Sequence, residues 1–272
     1  MDFKKRVPFG RTGLMVSRIG LASGFGAPTA AIEKAFHEYG VNYFWLSFLK
    51  RGNMVRAIRN LTSKHRDNLC IKLSWPASGS LFVQNFVHRW LKKLRLDQVD
   101  LIVLQDQRKP PSQKLIDRMS RLKDSGKVRF VGMSSHDRPL FGKIARGEVK
   151  APVDFYQIRY NAVHPGAEQD VFPHLPLEKR PGIEIFTATC WRKLLKLKLM
   201  PAGDHPLTAA DCYRFVLSHP DVNVCSTGPS TAEQIEDNLK ALDAGPLDEE
   251  EMIRIRRIGK HIYETAPKAL ME

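Results

Sequence analysis

Eight short runs of β-branched, aromatic and aliphatic residues recur along this chain, and amphipathic stretches separate most of them. The runs lie at Ile19 to Ala22, Asn42 to Leu46, Leu69 to Leu73, Asp100 to Leu104, Val128 to Met133, Asp154 to Tyr160, Ile183 to Thr187 and Val222 to Cys225. Helical periodicity falls at Ala30 to Tyr39, Asn53 to Ser63, Leu81 to Leu94, Gln113 to Lys123, Leu140 to Arg146, Ala209 to Ser218 and Ala232 to Leu242. Only the sixth crossover, Asn161 to Gly182, shows no helical pattern, and a last helix is expected over Glu249 to Thr265. Strands that alternate with helices form parallel βαβ units. An open doubly wound sheet would carry GxGxxG after its first strand, but Gly20, Gly24 and Gly26 have a different spacing. The expectation is therefore an α/β fold, one (β/α)₈ TIM barrel over residues 1–272 with an N-terminal β-hairpin and a C-terminal extra helix. Such barrels place their chemistry on the βα loops.

Composition narrows the function classes. Apolar residues make up 43% and charged residues 26%, ordinary values for a globular chain. No apolar run approaches the ~18 residues of a membrane span, and Met1-Asp2-Phe3-Lys4-Lys5-Arg6 lacks the apolar core of a secretory signal. A cytoplasmic protein without a membrane partner is expected. Cys70, Cys190, Cys212 and Cys225 are isolated, so they read as reduced and mostly buried, with neither disulfide nor metal site. The formal charge of +14 favours anions. Its densest segments, Trp90 to Arg95 and Arg192 to Lys198, alternate charge with leucine and fit a solvated helix face, attraction of a dinucleotide phosphate, or nucleic acid. No nucleic-acid motif supports the last reading, so nucleic acid is not an expected partner.

Two local features point to ligand chemistry. The turn Gly228-Pro229-Ser230-Thr231 precedes a helix whose first N–H groups can hold an anion; the alternative is that Ser230 or Thr231 only caps that helix. Gln157 lies within a barrel strand, where a buried amide needs partners, either a ligand or an internal polar contact.

The hairpin Phe9-Gly10-Arg11-Thr12-Gly13-Leu14-Met15-Val16-Ser17-Arg18-Ile19-Gly20-Leu21 resembles the opening FGRTGLxVSxLGLG of the aldo-keto reductases. Asp117 to Ser135, with Gly126-Lys127-Val128-Arg129-Phe130-Val131-Gly132 at its centre, resembles the family's LxxLxxxGKIRxIGxSN. Gln157 to Asn161 is similar to QxxYN, and Gly228 to Asn238 to GxxxxxQxxEN. The matches follow family order over nearly the whole chain. The resemblance implies an NADP(H)-dependent oxidoreductase acting on a small-molecule carbonyl. It places the nicotinamide carboxamide against Ser134, Ser135 and Gln157, and the adenosine end against Ser230, Gln234 and Asn238, with Gly228 allowing close approach. The family's stacking tyrosine corresponds to Ala188; Trp191 either substitutes for it or fills space.

The family's catalytic tetrad is where this chain departs. A phenol with a pKa of about 10 needs a neighbouring cation to serve as a proton donor near neutral pH. Alignment of the family motifs puts Trp45 at the aspartate, Lys50 at the tyrosine, Ser74 at the lysine and Gln105 at the histidine. Tyr43 and Lys72 each precede a tetrad position by two residues and share its strand face. They form either a displaced working pair or an interior contact about 6.6 Å deeper. Lys50 is a candidate proton donor at the barrel mouth, or a solvated lysine. Hydride transfer with an atypical proton donor is the expected chemistry; the alternative is a non-catalytic, dinucleotide-binding member with a regulatory or partner-binding role.

Overall fold

The computed structural model describes residues 1–47, 49–76 and 81–266. Its centre is a closed barrel of eight parallel strands, β3 (Ile19–Ala22), β4 (Tyr43–Leu46), β5 (Cys70–Trp75), β6 (Val99–Leu104), β7 (Val128–Ser135), β8 (Phe155–Arg159), β9 (Gly182–Phe186) and β10 (Val224–Thr227). They neighbour one another in chain order, and β10 closes on β3. Preceding them, β1 (Val7–Pro8) and β2 (Met15–Val16) pair antiparallel as the expected hairpin. The outer helices are α1 (Thr29–Tyr39), α2 (Gly52–His65), α3 (Val83–Leu94), α4 (Gln113–Asp124), α5 (Arg138–Ala145), α6 (Ala167–Asp170), α7 (Ala209–Leu217), α8 (Ala232–Ala244) and α9 (Glu249–Thr265).

Alternation along each strand divides the apolar residues into two cores. The outward residues, among them Phe44, Ile71, Ile102 and Ile185, pack under the helices. Inward residues Tyr43, Cys70, Leu101, Val103, Phe155 and Val224 form a second cluster with Phe9, Leu14 and Val16 of the hairpin segment. Phe9 meets Tyr43 edge-on at 5.8 Å and Phe155 at 5.3 Å. The hairpin segment thus contributes directly to the barrel interior.

Space for these rings comes from small residues on neighbouring strands. A Cβ at Gly132 would lie 2.3 Å from the Phe155 ring. Gly132→Ala should therefore lower stability by about 1–3 kcal/mol through overpacking, read as a lower urea midpoint; an unchanged midpoint would show that Phe155 has room to shift.

Three segments differ from the sequence expectation. The sixth crossover contains the single turn α6 and a 3₁₀ turn at Phe172–His174, and one turn is too short to show a repeating apolar stripe. The last strand begins at Val224 rather than Val222, although Val222 is buried. Finally, the Arg192 to Lys198 segment is not a solvated helix face: it forms two 3₁₀ turns, Lys193–Leu195 and Leu197–Leu199, and Lys193 is buried. Cys190, Trp191 and Arg192 all have positive φ (48°, 50° and 67°), which no α-helix accepts. Among the described residues, no helix is long and apolar enough to cross a membrane.

Candidate functional site

The barrel register brings the tetrad-aligned positions together at the C-terminal mouth. Trp45 ends one inward row on β4, Ser74 does so on β5, and Gln105 follows β6. Trp45 Nε1 donates to Ser74 Oγ (2.6 Å), while Gln105 Nε2 donates to Gln157 Oε1 (2.9 Å) and lies 3.4 Å from Ser74 Oγ. The result is one hydrogen-bonded chain, Trp45–Ser74–Gln105–Gln157, with no titratable member. At its end the fully buried Gln157 has an Nε2 with no acceptor. Ser134 pairs with Gln157 in the β7–β8 register, and both Ser134 and Ser135 are buried. Ser135 Oγ accepts from Asp137 N at 3.0 Å.

Deeper inside lies a second polar group, built on Glu184, a residue the sequence reading did not include. Glu184 of β9, fully buried, accepts from Tyr43 Oη (2.9 Å), from Lys72 Nζ on both carboxylate oxygens, and from Ser226 Oγ. The Lys72 ammonium also lies 4.1 Å from the Trp45 ring centre and 5.3 Å from that of Tyr43. Burial lowers the Lys72 pKa to about 8 despite the opposing pull of Glu184. Burial, and then Glu184, pushes the Tyr43 phenol well above its ordinary value. Tyr43 and Lys72 thus sit in the interior with their protons directed at Glu184. A signal was available: Glu184 stands between Ile183 and Ile185 in an apolar run, and a buried charge there demands a partner.

Lys50 is exposed, with φ 43°, in the segment after β4, and its stem runs beside Gly26 of the β3–α1 loop. It is not part of the Trp45–Ser74–Gln105–Gln157 chain. Gly228, Ser230, Gln234 and Asn238 gather at the start of α8. Thr231 is its N-cap, with Oγ1 accepting from Gln234 N at 3.2 Å. The Gln234 side chain folds back, its Oε1 accepting from Ser230 N (2.9 Å) and Ser230 Oγ (3.0 Å). Asn238 is buried one turn further along. Gly228 lies under the exposed Phe25 ring, which a Cβ there would approach to 2.7 Å. Trp191 is 40% exposed, with the Arg159 guanidinium 6.0 Å and the Lys193 ammonium 5.2 Å from its ring centre.

All four cysteines are free and buried, and no metal-binding group of His, Cys, Asp and Glu occurs among the described residues. A cavity of about 480 Å³ opens among Trp75, Phe86, Trp90, Arg51 and Arg89. It lies beside α3, outside the barrel, and none of the candidate site residues lines it.

Comparison with known proteins agrees with the barrel fold. No curated protein sequence matches the chain. In its apo form, an aldo-keto reductase from Bacillus halodurans superposes with a TM-score of 0.75 at 18% identity, over 98% of this chain and 99% of that one. An aldo/keto reductase from Klebsiella pneumoniae, solved in complex with NADP and acetate, superposes with a TM-score of 0.72 at 20% identity, over 94% of this chain and 95% of that one. At these identities the likeness shows the barrel fold. The aldo/keto reductase family model matches residues 51–189, just over half of the sequence. With that match, the chain belongs to the aldo/keto reductase family.

Proposed function

We propose that the chain is an NADP(H)-dependent oxidoreductase that interconverts a small-molecule carbonyl and its alcohol with an atypical proton donor. The observation that carries this reading is the buried Gln157 Nε2 without an acceptor, at the end of the chain through the tetrad-aligned positions. An unsatisfied buried donor costs about 1–3 kcal/mol, and the carboxamide oxygen of a nicotinamide relieves it. Ser134, opposite Gln157 on the adjacent strand, adds a hydroxyl, whereas Ser135 pairs with Ile158 and faces the other way. At the other end, Ser230 N–H and O–H are both turned to Gln234 Oε1. Rotation of that amide presents both donors to an anion at the start of α8. The NADP in the Klebsiella pneumoniae structure is consistent with this reading.

Bound in this way, the nicotinamide supplies or accepts the hydride. The chain must provide the proton. Tyr43 and Lys72 direct theirs at Glu184, so the exposed ammonium of Lys50 is the donor we assign. Titrating the protein with NADPH and NADH, followed by tryptophan fluorescence, tests the cofactor half. Gln234→Ala and Asn238→Ala should each weaken NADPH binding several-fold; if neither does, or if no nicotinamide nucleotide binds, the assignment falls.

The absence of any titratable group from Trp45–Ser74–Gln105–Gln157 favours a second reading, a member that binds the dinucleotide without turnover. NADPH oxidation across a panel of aldehydes and ketones separates the two, since the second reading requires binding with no oxidation.

A further inference from the structure

Residues 50–95 carry eleven of the chain's 43 Lys and Arg but one of its 29 Asp and Glu, so most of the formal +14 resides on α2, β5 and α3. Arg66 and Lys72 are balanced by the carboxylates of Asp100 and Glu184. Arg89, Lys92 and Lys93 are exposed on α3 and make no ion pair among the described residues. The helix dipole favours Lys92 and Lys93 in the last turn; it offers no reason for Arg89, or for the aromatic rings beside these cations.

Those rings line the cavity of about 480 Å³ beside α3. Trp75 reaches it because strand alternation turns this residue outward, one position past the inward Ser74. Phe86 and Trp90 come from one face of α3, four residues apart. Phe86 stands between the two indoles, edge-on to Trp75 at 5.1 Å and to Trp90 at 6.3 Å. Arg51 Cζ and Lys93 Nζ each lie 5.0 Å from the centre of the Trp90 ring. Phe82 completes the rim, 63% exposed and with φ 66°, a left-handed conformation that is costly for a residue with a Cβ. The lining is thus four aromatic side chains and three cations, with neither carboxylate nor amide side chain among the described residues.

We infer that this cleft, between the start of α2 and α3, is a binding site for a flat polycyclic aryl carboxylate or sulfonate. The ligand's rings pack against Trp75, Phe86 and Trp90, and its anionic group meets Arg89 and Lys93, which have no counter-charge of their own. The volume lies within the range usual for small-molecule sites. A nucleobase would need side chains that pair its polar edge, and a lining of rings and cations supplies none; an aryl acid needs only what is there. The cleft lies outside the barrel, so its ligand is neither the proposed cofactor nor the carbonyl substrate, and the inference does not rest on the oxidoreductase reading.

The probes are 2-naphthoate and the uncharged 2-naphthamide, compared by isothermal titration calorimetry. The acid should bind at least about tenfold more tightly than the amide, and the advantage should shrink with added salt. In ¹⁵N-labelled protein, naphthoate should shift the indole N–H signals of Trp75 and Trp90, identified with Trp75→Phe and Trp90→Phe, and leave those of Trp45 and Trp191 in place. Arg89→Met and Lys93→Met together, both at exposed positions, should abolish the preference for the acid without altering Tm; Phe86→Leu should weaken both probes. Saturating NADPH should leave naphthoate affinity unchanged. Equal binding of acid and amide, no binding of either at millimolar concentration, or a full preference for the acid in the double variant overturns the inference. So does a naphthoate shift confined to Trp45 or Trp191, or displacement by NADPH, since the acid would then occupy the barrel mouth. AMP binding beside Trp75 and Trp90 as tightly as naphthoate would overturn the ligand class.

Discussion

Glu184→Leu should remove about 3–5 kcal/mol of stability, equivalent to a fall of roughly 10 °C in Tm for a chain of this size. The substitution leaves the fully buried Lys72 ammonium without its carboxylate, and strips Tyr43 Oη and Ser226 Oγ of their acceptor. Glu184→Gln keeps an acceptor but loses the charge, so its cost should be intermediate. The double variant Lys72→Met, Glu184→Leu should recover most of the loss, because the buried charge is removed together with its partner. A Glu184→Leu protein that melts within a degree or two of the parent would refute the pairing.

The same pair predicts a pH dependence. Lys72 titrates at about 8 in the folded chain against an ordinary 10.5, so between these values the unfolded chain binds more protons than the folded one. Its contribution to stability is therefore smallest below about pH 8 and grows as the pH rises toward 10.5. Tyr43 acts in the opposite sense above its ordinary value of 10.0, where the unfolded phenol ionises and the folded one does not. Urea midpoints measured between pH 8 and 10 should consequently rise less steeply in Lys72→Met than in the parent.

Reduction of ordinary aldehydes should be slow, about 10²- to 10⁴-fold below that of an enzyme with a positioned tyrosine acid. Trp45, Ser74 and Gln105 form a neutral chain, and Tyr43 is held by Glu184 with its pKa raised by burial. On our assignment, Lys50→Ala should lower turnover at least tenfold further while NADPH affinity stays unchanged. Unchanged turnover would exclude Lys50 and return attention to Tyr43 and Lys72. Brisk reduction of simple aldehydes by the double variant Tyr43→Phe, Lys50→Ala would defeat the whole proton-donor argument, because neither a phenol nor an ammonium at these positions would then be needed.

Much of the barrel was legible in the linear chain because its signals are local. Alternation at Tyr43, Phe44, Trp45 and Leu46 separates inward from outward faces, and eight such runs with helices between them leave few other folds. The α8 start was equally plain, since the Gly228 to Thr231 turn and the Thr231 cap lie within a few residues of each other. The family resemblance aligned Trp45, Lys50, Ser74 and Gln105 with the tetrad positions, and strand alternation put Tyr43 and Lys72 on the inward face. Neither showed what they meet. Lys72 and Glu184 are 112 residues apart on strands separated by three others around the barrel. Asn161 likewise ties the turn after β8 to the loop after β9, through its bonds to His164 N and Thr187 O. Periodicity specifies the face of a strand on which a side chain lies; only closure of the barrel decides which distant side chain shares that interior and whether its charge is balanced.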